Sequence, residues 1–261
     1  MLHGGLDLPS GYRLVFHEAI DSTNAEALRL AAEGEQGGLW IWAGTQQAGR
    51  GRAGRSWTSP VGNLHASLLL RPRVPLATAL QLSLLAGVAA HDAVSALAAG
   101  AGVTPALRLK WPNDILVNDA KLGGILLESR AGAEVDAPAV VIGTGLNLSR
   151  APGDLGRPVA SLADAGIAVE PAQALAALIW ATAEWIAHWR DGMGFETIRG
   201  AWLERAKPLG GPISVRLGAD LVSGTFLGID EIGALRLATE SGERRITAGD
   251  VSIGAEAQGQ A

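Results

Sequence analysis

The chain has no cysteine among its 261 residues, which excludes disulfide scaffolds, thiolate zinc sites and cysteine nucleophiles. It also lacks the low hydrophobicity and high charge of a disordered protein: 48% of its residues are apolar and 18% charged. There is no basic excess. With 21 basic and 26 acidic residues the net charge is −5, which argues against a general nucleic-acid binder. The first 20 residues lack the charged, apolar and cleavage regions of a secretory signal. The longest apolar stretch, 76–101, is interrupted by Thr78, Gln81, His91, Asp92 and Ser95, so it reads as a buried helix and not a membrane span. A soluble, cytoplasmic protein with no membrane partner is the expectation. Glycine is the one residue in clear excess: 35 positions, without a triplet period, point to glycine-dependent loops.

The pattern mixes strands and helices over most of the length. Strands are expected at 13–17, 39–46, 63–71, 107–111, 115–117, 121–129 and 139–148, with a hairpin turn at Asn118-Asp119. Helices are expected from Thr23, with Glu26 at capping-box spacing and Gly34 as a stop, and over 76–97, 171–189 and 195–206. Trp180, Trp185 and Trp189 fall on the third of these as a core stripe. After Pro208-Leu-Gly-Gly-Pro212 helical periodicity ends, and short glycine-separated strands suggest a small β-barrel, marginal on its own.

The most informative local absence is acidic. Between Gln36 and His91 there is no Asp or Glu, yet the window holds Arg50, Arg52, Arg55, Arg71 and Arg73. Three of those arginines lie in the glycine loop 48–57, where they have no local partner and their field is open to an anion. The alternative is a solvated loop whose arginines reach carboxylates elsewhere, and the loop alone does not separate the two readings. Gly49, Gly51 and Gly54 spell G-x-G-x-x-G, but Ser59-Pro60 follows where a helix should open, so the dinucleotide fingerprint fails. A second cluster is Lys110-Trp-Pro-Asn-Asp114 with Lys121-Leu-Gly-Gly124. Lys121 there suits neutralisation of a developing phosphate charge, against an ordinary hairpin with an exposed lysine. Gly143-Thr-Gly-Leu-Asn147 leaves room for a planar ring whose edge Asn147 can bond, or forms a plain bulge. Ser22-Thr23-Asn24 reads as a helix cap, a place that also suits an anion. The five histidines show no metal-ligand spacing.

Taken in order, DSTN at 21–24, TQQAGRGRAGRSW at 45–57, NLHASLLLRP at 63–72, KWPNDI at 110–115, KLGGILLE at 121–128 and GTGLNL at 143–148 resemble the biotin protein ligase family. The resemblance implies an α+β fold: a mixed-sheet catalytic domain of the biotin/lipoate ligase type, here 1–207, then a small SH3-like β-barrel, 208–254, and a tail, 255–261. It implies that biotin and ATP are substrates, with Mg²⁺ as the expected counter-cation. Biotinyl-5′-AMP forms first, and the biotinyl group then passes to a lysine of a biotin carboxyl carrier protein from a biotin-dependent carboxylase. Ser22, Thr23, Asn24, Gln46, Arg50, Gly51, Arg52 and Lys121 fall at the family's biotin and adenylate positions. Trp111, Asn113 and Asn147 fall on its nucleotide side. Lys121, Arg52 and Asp114 are the expected catalytic residues, with Asp114 assisting Mg²⁺ or orienting Lys121; no residue is assigned as a metal ligand. Bifunctional members carry an N-terminal winged-helix domain, and only about 20 residues precede DSTN, so the resemblance is to the monofunctional class, with no DNA partner; a homodimer is compatible with it. Two competing readings are a lipoate or octanoate–protein ligase or transferase, and a non-catalytic nucleic-acid module using Arg50, Arg52 and Arg55.

Overall fold

Seven strands form the main sheet of the protein, described here from a computed structural model that covers residues 6–130, 138–153 and 156–253. They are β1 (Arg13–Ile20), β2 (Leu39–Gln46), β3 (Leu64–Leu70), β4 (Leu107–Lys110), β5 (Asp114–Val117), β6 (Ala120–Arg130) and β7 (Ala139–Leu146). Their order is β1-β2-β3-β7-β6-β5-β4. The first pair is parallel and the others antiparallel, which makes the sheet mixed, as the resemblance implies.

Strand periodicity divides this sheet into two chemically different faces. Trp40 and Trp42 of β2, Leu64 and Leu68 of β3, and Val140 and Ile142 of β7 point into the main core. That core is closed by α3 (Leu82–Gly100), α4 (Pro171–Trp189) and α5 (Phe195–Arg205). The alternate residues, among them Leu39, Ile41, Leu69 and Val141, meet Ala27 and Ala31 of α1 (Thr23–Ala32). Helix α1 covers only part of its face. Beyond its first turn the same strands present Ser67, Gly143 and Gly145, which line or border an open cavity.

One β-bulge sets the geometry there. Ile115 pairs with Gly123 and Leu116 with Lys121, so Leu122 is an extra residue on β6. Leu122 turns into the core, fully buried, while Lys121 stays on the cavity face with Gly124 and Leu126. The turn before it is as expected: Asn118 and Asp119 both take positive φ, 47° and 68°, the conformation of a two-residue primed hairpin turn.

Several expectations need correction. Helix α1 is capped by Ser22, whose Oγ accepts from Ala25 N at 3.4 Å; Thr23 is already inside the helix and its hydroxyl is used elsewhere. The helix expected over 76–97 is two helices, α2 (Leu76–Ala79) and α3, because the chain slips to i−3 bonds around Leu80 and Gln81. The segment 76–100 is long and apolar enough to cross a membrane by composition, and 61% of its apolar window is buried inside the protein. Trp180 is half exposed and is not part of a core stripe; Trp189 is buried and donates to Gln81.

The five C-terminal strands are β8 (Pro212–Leu217), β9 (Asp220–Ile229), β10 (Leu235–Thr239), β11 (Gly242–Ile246) and β12 (Asp250–Ile253), ordered β11-β10-β9-β8-β12. All the pairs are antiparallel. Among the described residues no pair joins β11 to β12, so the sheet is not a closed barrel. It shares the main core: the Trp202 and Phe226 rings meet edge-on with centroids 6.4 Å apart. The tail expected over 255–261 lies outside the described residues.

Candidate active site

A cavity of about 790 Å³ opens between the main sheet and the C-terminal sheet. Ser22, Thr23, Asn24, Gln46, Arg50, Gly51, Arg52, Trp111, Asn113, Asp114 and Lys121 all line it. Motifs up to 100 positions apart in sequence thus converge on one place. Asn147 does not line it. Its side chain is 2% exposed and donates to the Ala160 carbonyl at 3.2 Å.

One end of the cavity is neutral and polar. Thr23 donates its backbone N–H and its hydroxyl to Gln46 Oε1, at 2.9 and 3.1 Å, and Gln46 Nε2 donates to Ser59 at 2.8 Å. Asn24 Nδ2 donates to the Leu126 carbonyl and to Glu128 Oε2. Ser67 Oγ lies 2.7 Å from Thr23 Oγ1 and 2.6 Å from Asn24 Oδ1. These groups are buried and bonded, so they are held in fixed directions. Glycine is required beside them. A Cβ at Gly143 would overlap Asn24, and one at Gly145 would lie 2.5 Å from the Trp57 ring. The indole therefore rests on bare backbone.

The other end is cationic. Asp114 is 7% exposed and lies between Lys121, which bonds it directly, and Lys110, 3.2 Å away. Burial alone would raise the Asp114 carboxyl, but Lys121 and Lys110 more than offset this and hold it below the usual carboxylate range. Burial pushes the Lys121 ammonium below the ordinary lysine value; Asp114 opposes the shift, and Arg157 and Lys110 add to it. Three cations, Lys121, Lys110 and Arg157, thus act on a single buried carboxylate, which leaves positive charge over. An exposed-hairpin reading of Lys121 is thereby overturned, since its side chain is only 12% exposed.

The glycine loop is folded. Gly51 N donates to Arg55 O at 2.7 Å and Trp57 N to Gly49 O at 2.8 Å, and Ala53 and Gly54 take positive φ. Its arginines reach partners elsewhere in the chain, the second of the two readings that the acid-free window left open. Arg50 pairs with Glu128 at 3.2 Å, and Arg55 with Asp250 at 2.8 Å. Arg52 donates to Asn113 Oδ1 and to the Gly249 carbonyl. Burial lowers its pKa from the ordinary arginine value, yet a guanidinium remains charged at neutral pH. The carboxylates come from β6 and from the start of β12, too far along the chain for local composition to reveal.

Sequence reasoning assigned no role to Ser67, Glu128, Arg157, Arg216 or Asp250. Glu128 and Ser67 stood inside quoted motifs; the others carried no local signal. Among the described residues no group of three or more His, Asp or Glu could hold a metal ion.

The biotin/lipoate A/B protein ligase family model matches residues 16–147, and that of the biotin protein ligase C terminal domain matches 209–254. The chain is 45% identical over 241 residues to the biotin–[acetyl-CoA-carboxylase] ligase of Paracoccus denitrificans, covering 90% of this chain and 98% of that one. It is 34% identical to the bifunctional ligase/repressor BirA of Bacillus subtilis, covering 94% of this chain and 75% of that protein. The biotin protein ligase of Aquifex aeolicus, solved with biotin and ATP, superposes with a TM-score of 0.75 at 27% identity, over 92% of this chain and 97% of that one.

Proposed function

This chain belongs to the biotin/lipoate A/B protein ligase family, and on that premise we propose that it activates biotin with ATP and passes it to a carboxylase carrier protein. It is a biotin–[acetyl-CoA-carboxylase] ligase in activity; the lipoate and octanoate reading is not favoured, since the relatives named above are biotin enzymes. The observation that carries the reading is a fixed neutral recess adjoining a buried surplus of positive charge.

The chemistry needs both ends. A carboxylate and a triphosphate repel each other, so they meet only where cations offset their charge. In the first step a carboxylate oxygen of biotin attacks the α-phosphorus of ATP. The bond to the β-phosphate breaks, and its electron pair leaves on pyrophosphate. In the second step a carrier lysine amine attacks the carbonyl carbon of the mixed anhydride, AMP leaves, and the amine gives up a proton. We assign Ser22, Thr23, Asn24, Gln46, Arg50 and Gly51 to biotin, and Trp111, Asn113 and Asn147 to the nucleotide side. Lys121 and Arg52 meet the carboxylate–phosphate junction, and Asp114 orients Lys121. Asn147 would act through the backbone it braces at Ala160. Mg²⁺ enters with ATP.

The same reading divides the chain into a catalytic domain at 1–207 and a C-terminal domain at 208–254, supported by the change from one sheet to the other. It places the enzyme in the cytoplasm with its ATP and carrier, acting without DNA or membrane; the acidic balance of the chain supports the former. A homodimer is compatible with it. The test is mass spectrometry of a carrier domain incubated with the protein and MgATP. A biotinyl mass gain on one lysine is expected; a gain with lipoate or octanoate but none with biotin refutes the reading.

A further inference from the structure

Arg157 stands apart from the other cations of the cavity. Lys110 and Lys121 share Asp114, and Arg50, Arg52 and Arg55 each have a partner. Arg157 lines the same cavity, is partly buried, and makes no hydrogen bond or ion pair among the described residues. Its position is nonetheless fixed. Lys121 N donates to Pro158 O at 3.0 Å, and Ala160 N to Lys121 O at 3.0 Å, so the segment 158–160 runs parallel to the start of β6. The backbone that carries Arg157 is thus bonded to the residue expected at the reacting junction. With no ion pair among the described residues, this guanidinium in a cavity that also holds two lysines has its donors open to an anion.

We infer that Arg157 is a phosphate-contacting residue for the leaving end of ATP, binding the β- and γ-phosphates and stabilising the charge that accumulates on pyrophosphate as the α–β bond breaks. The inference rests on the ligase reading above and adds a residue to it. The planar fork of arginine suits two phosphate oxygens at once. Asp114 already engages both lysines, which leaves the two sides of the triphosphate to different cations: Lys121 at the junction, Arg157 beyond it.

Pyrophosphate exists only in the first half-reaction, and this gives the test. The full-length chain and its Arg157→Ala and Arg157→Lys variants are compared in biotin-dependent ATP–pyrophosphate exchange, and in transfer to a carrier domain from preformed biotinyl-5′-AMP. Exchange in Arg157→Ala is expected to fall about 10- to 100-fold, the loss typical of a charged hydrogen bond, with Arg157→Lys between it and wild type. Transfer from the preformed adenylate is expected within twofold of wild type, which also reports that the variant is folded. Equal losses in both half-reactions, or undiminished exchange, overturn the inference while leaving the ligase reading in place. A wild-type chain with no biotin-dependent exchange overturns the reading itself.

Discussion

Arg52 donates to the backbone carbonyl of Gly249 at 3.0 Å, across 197 positions of sequence. The bond joins the glycine loop of the main sheet to the C-terminal sheet, and its neighbour Arg55 repeats the connection through Asp250. The loop is therefore tied at two points to the C-terminal sheet.

Replacing Arg52 by glycine breaks the first of these ties and removes a charged contact, a change of about 1.5–3 kcal/mol. If the loss falls on retention of the adenylate, release accelerates about 10- to 100-fold. Pulse-chase of labelled biotinyl-AMP measures it, and bystander lysines should become biotinylated as the anhydride escapes. Release at the wild-type rate with normal adenylation would show that the loop is not a cover.

On the proposed role of Lys121 at the junction, it must carry its proton to offset the charge there, so activity should decline as pH rises through its pKa. Burial places that pKa below the ordinary lysine value, and the alkaline limb of kcat/KM for ATP should lie correspondingly early. Lys121→Arg keeps the charge at every accessible pH and should abolish the limb while lowering the rate. Lys121→Ala should slow single-turnover adenylation by at least about 100-fold, the scale of losing one transition-state donor. An unchanged alkaline limb in Lys121→Arg assigns the titration to another group.

Gly143→Ala should damage the neutral recess, because the added methyl overlaps Asn24. Asn24 would lose its bonds to Ser67, Leu126 and Glu128. We expect destabilisation of about 1–3 kcal/mol from overpacking and at least about tenfold weaker biotin binding, checked by thermal melting and calorimetric titration. Gly100→Ala, whose added Cβ meets nothing within 4 Å, is the control and should bind as wild type does.

What the sequence made legible was whatever local patterning determines. The strand from 39 to 46 and the helix from 171 to 189 match their expected bounds, since alternation and 3.6-residue periodicity leave little choice there. The Asn118-Asp119 turn was legible because few residue pairs accept two positive φ angles. The motif residues from Ser22 to Lys121 line one cavity, while Asn147 stands outside it. What stayed hidden was long-range pairing. Glu128 meets Asn24 across 104 positions and Arg55 meets Asp250 across 195, and no window of composition contains either pair. The Trp202–Phe226 contact and the Gln81–Trp189 bond are likewise long-range pairs that no local window contains.

The C-terminal wall of the cavity has a consequence for synthesis. A chain emerging from the ribosome has completed every motif of the catalytic sheet by Asn147, yet Asp250, Val251 and Ser252 line the same cavity. About 100 residues separate the two, roughly 5–20 s of translation. During that interval the cations that attract ATP are present while the two ties of the loop have not been made. A nascent or truncated chain that ends before Gly249 would lack both bonds by which Arg52 and Arg55 tie the loop to the second sheet.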